Sequence, residues 1–153
     1  MAETTPSLEG FIAFCRSIVG IPEDAMADDD PGFQDALDFA LAWMPDVLKC
    51  APGRMRLLYV SCTYNWGASL ILQFQQDQVG TGFFAAMRAK FGTLNFVPGV
   101  VSSTADESTS TTLTVGKALQ NLSLMDLQRA KDPFGRQALS ILMQFGPNVW
   151  GVS

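Results

Sequence analysis

The stretch Met55–Phe74, MRLLYVSCTYNWGASLILQF, limits the possible folds of this chain more than any other. Leu57, Leu58, Val60, Tyr64, Trp66, Leu70, Ile71, Leu72 and Phe74 leave a helix here almost no polar side. A helix that is apolar all round must be surrounded by protein or by lipid. Lipid is the poorer reading, because Ser61, Thr63, Asn65, Gly67 and Ser69 interrupt the run and hydrocarbon penalises them. The stretch therefore predicts the central helix of a bundle, opened by Pro52-Gly53 and running from about Pro52 to Gln76. Ser61, Asn65 and Ser69 fall at i, i+4 and i+8 on one line. If buried, those groups need partners, which a subunit contact or a trapped water could supply.

Shorter helices flank it. Ser7 is a cap for a first helix with Leu8, Phe11, Ile12, Cys15, Ile18 and Val19 on one stripe, closed by Gly20-Ile21-Pro22. Asp30-Pro31 opens a second, whose face is Phe33, Leu37, Ala40, Leu41, Met44 and Leu48; Pro45 ends or kinks it near Trp43. Gly82 precedes Phe83 to Phe91, which Gly92 closes. Ser123 with Asp126 forms a capping-box variant before Leu124 to Lys131. Asp132-Pro133 caps the last helix, with Phe134, Ala138, Leu139, Ile141, Leu142 and Phe145 on its apolar side and Gly146-Pro147 as its stop. The expected fold is mainly α, a bundle of about five to six helices in one domain spanning 1–153.

One segment breaks the pattern. NFVPGVV, Asn95 to Val101, reads as extended chain with a turn at Pro98-Gly99. Ser and Thr fill nine of the thirteen positions from Ser102 to Thr114. β-Branched Thr favours extended backbone, and Ser and Thr side chains compete with helical hydrogen bonds. An extended loop or β-hairpin is expected near residues 94–115. It serves either as an ordered contact strand or as a surface loop.

Charged residues make up 16 % of the chain, against about 25 % in globular proteins. A small domain has much surface to cover, so apolar surface buried in another chain is expected. Residues 1–50 carry net −8 and residues 51–153 net +3. That asymmetry either attracts copies head to tail or reflects two solvated faces. The basic pairs Arg54-x-Arg56 and Arg88-x-Lys90 find their simplest partners among the N-terminal acids. MAETTPSLEG has neither a basic nor an apolar leader region, so no secretory signal is expected. Cys15, Cys50 and Cys62 lack metal-type spacing and read as reduced thiols, with Cys15 and Cys62 in the core.

Catalytic signatures are missing from the sequence. There is no histidine, hence no commonplace general base or zinc ligand. No P-loop, no GxGxxG and no GxSxG occurs. Asp28-Asp29-Asp30 lacks the alternation, glycine and closing Glu of a calcium loop and reads as a solvated loop ending in a cap. Asp106-Glu107 reads as a turn tip. A sequence pI near 4.5 argues against nucleic-acid recognition. No enzyme activity, cofactor or metal is expected. Trp150, in the tail 146–153, belongs either to its own core or to a partner's surface.

Taken together, YVSCTYNWGASLI (Tyr59 to Ile71), VVSSTADESTSTTLTV (Val100 to Val115), NLSLMDLQRAKDPFGRQAL (Asn121 to Leu139) and the closing VWGVS resemble the small helical head–tail adaptor, or connector, proteins of tailed bacteriophages. The resemblance covers most of the chain. It implies a structural virion protein of the neck, assembled in the bacterial host cytoplasm. Such a protein forms a ring, commonly of twelve copies, between the portal and the tail. The ring extends the DNA channel, passes DNA without sequence-specific binding and offers a docking surface to tail or neck proteins; no membrane is involved.

Mapped by this resemblance, the subunit interface would include Val100, Val101, Ser102, Ser103, Thr104, Asp106, Glu107, Thr109, Thr111 and Leu113. Portal or partner docking would fall to Phe145, Val149, Trp150 and Val152. Extended backbone adds main-chain hydrogen bonds to a neighbouring subunit, and heterologous contacts close into a ring when the rotation permits. An acidic first part lining the lumen would let DNA pass without sticking. The alternatives are another neck or tail-completion protein, such as a tail terminator, and a helical protein-binding or regulatory domain.

Overall fold

A computed structural model describes residues 4–50, 52–53, 55–93, 100–105, 110–114 and 123–144. The described residues form a mainly helical bundle. In chain order the elements are α1 (Leu8–Phe14, continued by a π turn Cys15–Val19), α2 (Pro31–Ala42), the single turn α3 (Asp46–Lys49), α4 (Met55–Phe74), α5 (Phe83–Phe91), β1 (Val100–Ala105), β2 (Ser110–Thr114), α6 (Leu124–Arg129) and α7 (Pro133–Met143).

The caps read from the sequence are present. Ser7 Oγ accepts from Gly10 N at 3.0 Å and Asp30 Oδ1 from Gly32 N at 2.8 Å. The Ser123–Asp126 capping box is complete in both directions. Each satisfies backbone donors that the first helical turn leaves without partners. Asp77 does the same for α5 from outside the helix, accepting from Phe84 N and Ala85 N at 2.7 and 2.8 Å.

Buried α4 is the axis. Its stretch from Val60 to Leu72 is almost wholly enclosed, with α2 packed on one side and α7 on another. Phe11 of α1 meets Phe33 edge-on and lies against Tyr64. Gly67 makes room for it, since a Cβ there would stand 2.8 Å from Phe11 Cζ. The Tyr64 hydroxyl accepts from Ser7 N at 2.9 Å and donates to Ser7 O at 3.1 Å, fixing the start of α1 to the middle of α4.

Three expectations need correction. The central helix begins at Met55, because Gly53 turns the chain with φ of 58° and leaves Pro52-Gly53 outside the helix; it ends at Phe74. The stripe of the first helix fails at Ile18, which is 62 % exposed. The π turn adds a residue to the local turn, with Gly20 N bonded to Cys15 O at 3.0 Å, and swings Ile18 outward. The second helix ends at Ala42 with Trp43 as its C-cap, as Pro45 predicts, and past Pro45 the chain forms a separate helical turn, α3, which carries Leu48. Arg88 pairs with Asp77 at 3.6 Å and donates to Leu72 O and Gln75 O, not to N-terminal acids. Those two carbonyls lie at the C-terminal end of α4, where a cation is favoured.

The backbones of β1 and β2 run antiparallel. Val100 pairs with Thr114 and Val101 with Leu113; the register then shifts, and Ser103, Thr104 and Ala105 pair with Thr112, Thr111 and Ser110. Ser102 falls at that shift, as a bulge residue does. Among the described residues each strand has one edge that no further strand covers. No helix among the described residues is long and apolar enough to cross a membrane.

Candidate functional site

Two features stand out, a buried polar cluster and an open apolar groove. In the first, Asp132 is fully buried at the start of α7. Its Oδ1 accepts from Phe134 N and Gly135 N at 3.0 and 2.9 Å. Its Oδ2 accepts from Ser69 Oγ at 2.6 Å and Gln73 Nε2 at 2.5 Å. Gln128 donates in turn to Gln73 Oε1. Both oxygens of the carboxylate are thus engaged from inside the chain.

The polar line of α4 finds its partners here and along its own helix. Ser69 bonds Asp132, and Asn65 Nδ2 donates to Ser61 O at 2.8 Å. Neither a subunit contact nor a water is needed for these groups. Beside them lies the buried Arg129, 3.3 Å from Asp126 Oδ1 and stacked over Trp66 at 4.5 Å from the ring centroid. Burial lowers the Arg129 pKa, while Asp126 opposes that change. The cluster has a hydroxyl, two amides and a carboxylate, yet its hydrogen bonds join α4, α6 and α7 to one another. Its chemistry is that of a clamp.

Both core thiols are inert. Burial pushes Cys15 and Cys62 up to about 12, and Cys62 Sγ donates to Ala138 O at 3.5 Å. Cys50 is exposed. Asp28 of the acidic loop pairs with Arg16 at 2.6 Å, and no metal-competent cluster is found among the described residues.

The groove lies between α2 and the C-terminal part of α4. Asp35, Ala36 and Phe39 form one wall and Leu70, Phe74 and Gln75 the other, around a volume of about 410 Å³. Its apolar rim is wet: Phe39 is 43 % and Phe74 65 % exposed. Next to it, Trp43 is 51 % exposed and rests against Phe39, ring centroids 6.1 Å apart. Large apolar side chains gathered at an open groove make this surface a candidate for binding.

Sequence reasoning did not single out this groove. The available signal is the i, i+4 pair Phe39 and Trp43, which lies off the apolar stripe of α2 on the side expected to be polar.

Of the interface residues expected from the sequence, Val100, Val101, Ser102, Ser103 and Thr104 lie in β1 and Thr111 and Leu113 in β2, as backbone positions of one ladder. Asp106, Glu107 and Thr109 lie outside the described residues. So do Phe145, Val149, Trp150 and Val152. Compared with protein-family models, curated proteins and solved structures, the chain matches none.

Proposed function

We propose that this chain is a structural subunit of a phage neck, a head–tail adaptor that assembles into a ring between portal and tail and performs no catalysis. The observation that carries this reading is the wet apolar groove with Phe39, Phe74 and neighbouring Trp43, on a chain whose buried polar groups are largely satisfied from within. A domain that keeps three large aromatics at its surface gains from a partner that covers them.

The ladder of β1 and β2 supports the same reading. An uncovered strand edge pairs with another chain's backbone. On this proposal Val100–Val115 contacts the adjacent subunit, and Phe145, Val149, Trp150 and Val152 dock on a partner. A tail terminator calls for more sheet than the described residues hold. A helical protein-binding domain shares the groove and differs in forming no ring.

The test is co-sedimentation with a phage portal protein. The adaptor reading expects a stoichiometric complex of full-length chain and portal. It also expects loss of that complex on deletion of Ala105–Thr112, with the helical circular-dichroism signal retained. Full binding by the deleted chain, or none by the intact one, counts against it.

A further inference from the structure

We infer that the groove between α2 and α4 receives the Trp150 segment of a second copy, so that each subunit holds the next by its tail. The inference rests on the ring-forming reading and names the partner on which that segment docks.

The first argument is reach. Ser69 faces Asp132 and Cys62 faces Ala138, so α7 runs back along α4 in the opposite direction. Continued to Gln144, α7 ends level with the first turn of α4, near Arg56. The groove residues Leu70, Phe74 and Gln75 lie fourteen to nineteen positions further along, about 21–28 Å at the helical rise. Six residues separate Gln144 from Trp150, and fully extended they span about 20–22 Å. A chain's own backbone would have to run almost straight to bring even the Trp150 Cα level with the near end. It would also have to cross from the α7 side of α4 to the α2 side. A neighbouring copy meets neither restriction.

The second argument is chemical fit. An open volume of about 410 Å³ accepts one large aromatic with a smaller apolar neighbour. Val149-Trp150-Gly151-Val152 supplies that pair, and Gly151 lets the backbone approach the walls closely. A buried indole N–H needs an acceptor; Asp35 and Gln75 stand in the groove walls with side-chain oxygens. Donor and acceptor surfaces at different places on one chain make a heterologous contact, the kind that closes into rings.

Two single-site variants of the full chain, both carrying Cys50→Ser, test this. Asp35→Cys marks the groove and Val152→Cys the tail, and they are mixed under mild oxidation, alone and with the portal protein. The inference predicts a cross-linked dimer in the mixture. It also predicts that Trp150→Ala weakens self-association at least tenfold, about the loss of one interface hot spot, with its helical signal unchanged, and that Trp150→Phe restores part of it.

Rings that form normally with Trp150→Ala and give no cross-link in the mixture overturn the inference and leave the ring reading intact. A cross-link found only within one chain, when both cysteines are placed together, overturns it as well. Chains that stay single in every sample, portal included, overturn both.

Discussion

Ser69 Oγ donates to Asp132 Oδ2 at 2.6 Å, tying the middle of the bundle to the cap of its last helix across 63 residues of sequence. One carboxylate serves four donors, two on α4 and two at the start of α7, so the two helices are locked in register by a single side chain. Stability here should depend sharply on that side chain.

Asp132→Ala removes a helix cap and strands the Ser69 hydroxyl, the Gln73 amide and two backbone donors. The expected loss is about 3 kcal/mol, read as a lowered urea midpoint with unchanged slope. Asp132→Asn keeps an acceptor oxygen and should lose clearly less. Equal losses from the two variants would mean that cap geometry, not acceptor count, sets the effect.

Gly135→Ala is the harshest small substitution. A Cβ there would lie 2.0 Å from the backbone oxygen of Arg129 and 2.8 Å from Ser69 Oγ. The Arg129 oxygen is backbone and cannot turn aside, so the start of α7 must shift away from the end of α6. A loss of more than about 3 kcal/mol is expected, with poor soluble yield. Thermal melts of Gly135→Ala and Gly67→Ala together separate the cases, because at Gly67 the crowding atoms belong to the Phe11 ring, which can turn.

Thiol chemistry divides the cysteines. At neutral pH in the folded protein Cys50 should react with a maleimide or aromatic disulfide reagent, while Cys15 and Cys62 stay protected until unfolding. The sign of the pH effect follows from the same burial. The folded thiols ionise near 12 and the unfolded ones near the ordinary 9.0, so only the unfolded chain gives up these protons between those values. Their contribution is fully present below pH 9 and is lost as pH rises toward 12. Urea midpoints for the wild type should fall through that window more steeply than those for a Cys15→Ala, Cys62→Ala variant.

Deleting Ala105–Thr112 should leave the helical signal near that of the intact chain while abolishing assembly. A collapse of helicity in circular dichroism would mean that the strip supports the bundle and not its neighbours.

Local chemistry was legible in the sequence. Ser7, Asp30, Ser123 and Asp132 announce their helices because a cap and its donors lie within three residues. The central position of α4 followed from its lack of a polar face. Features set by distant partners were not legible. Ser69 gives no sign that its acceptor lies 63 residues away, and Arg88 looks like a free surface base until the end of α4 meets it. The π turn at Cys15–Val19 changes the helical period through hydrogen bonds alone, so a stripe drawn at constant spacing misplaces Ile18. The groove needs two helices to exist, and only the pair formed by Phe39 of its wall and the neighbouring Trp43 leaves a trace in one segment.

The central claim is that sibling subunits and a larger particle cover the aromatic surface of this chain. Its most direct test is molar mass by multi-angle light scattering, taken on the intact chain alone and mixed with a phage portal protein. The account predicts a portal-bound mass that includes many copies of the 16.6 kDa chain. A single-copy mass in both samples, with Phe39, Trp43 and Phe74 still open to solvent, would contradict it.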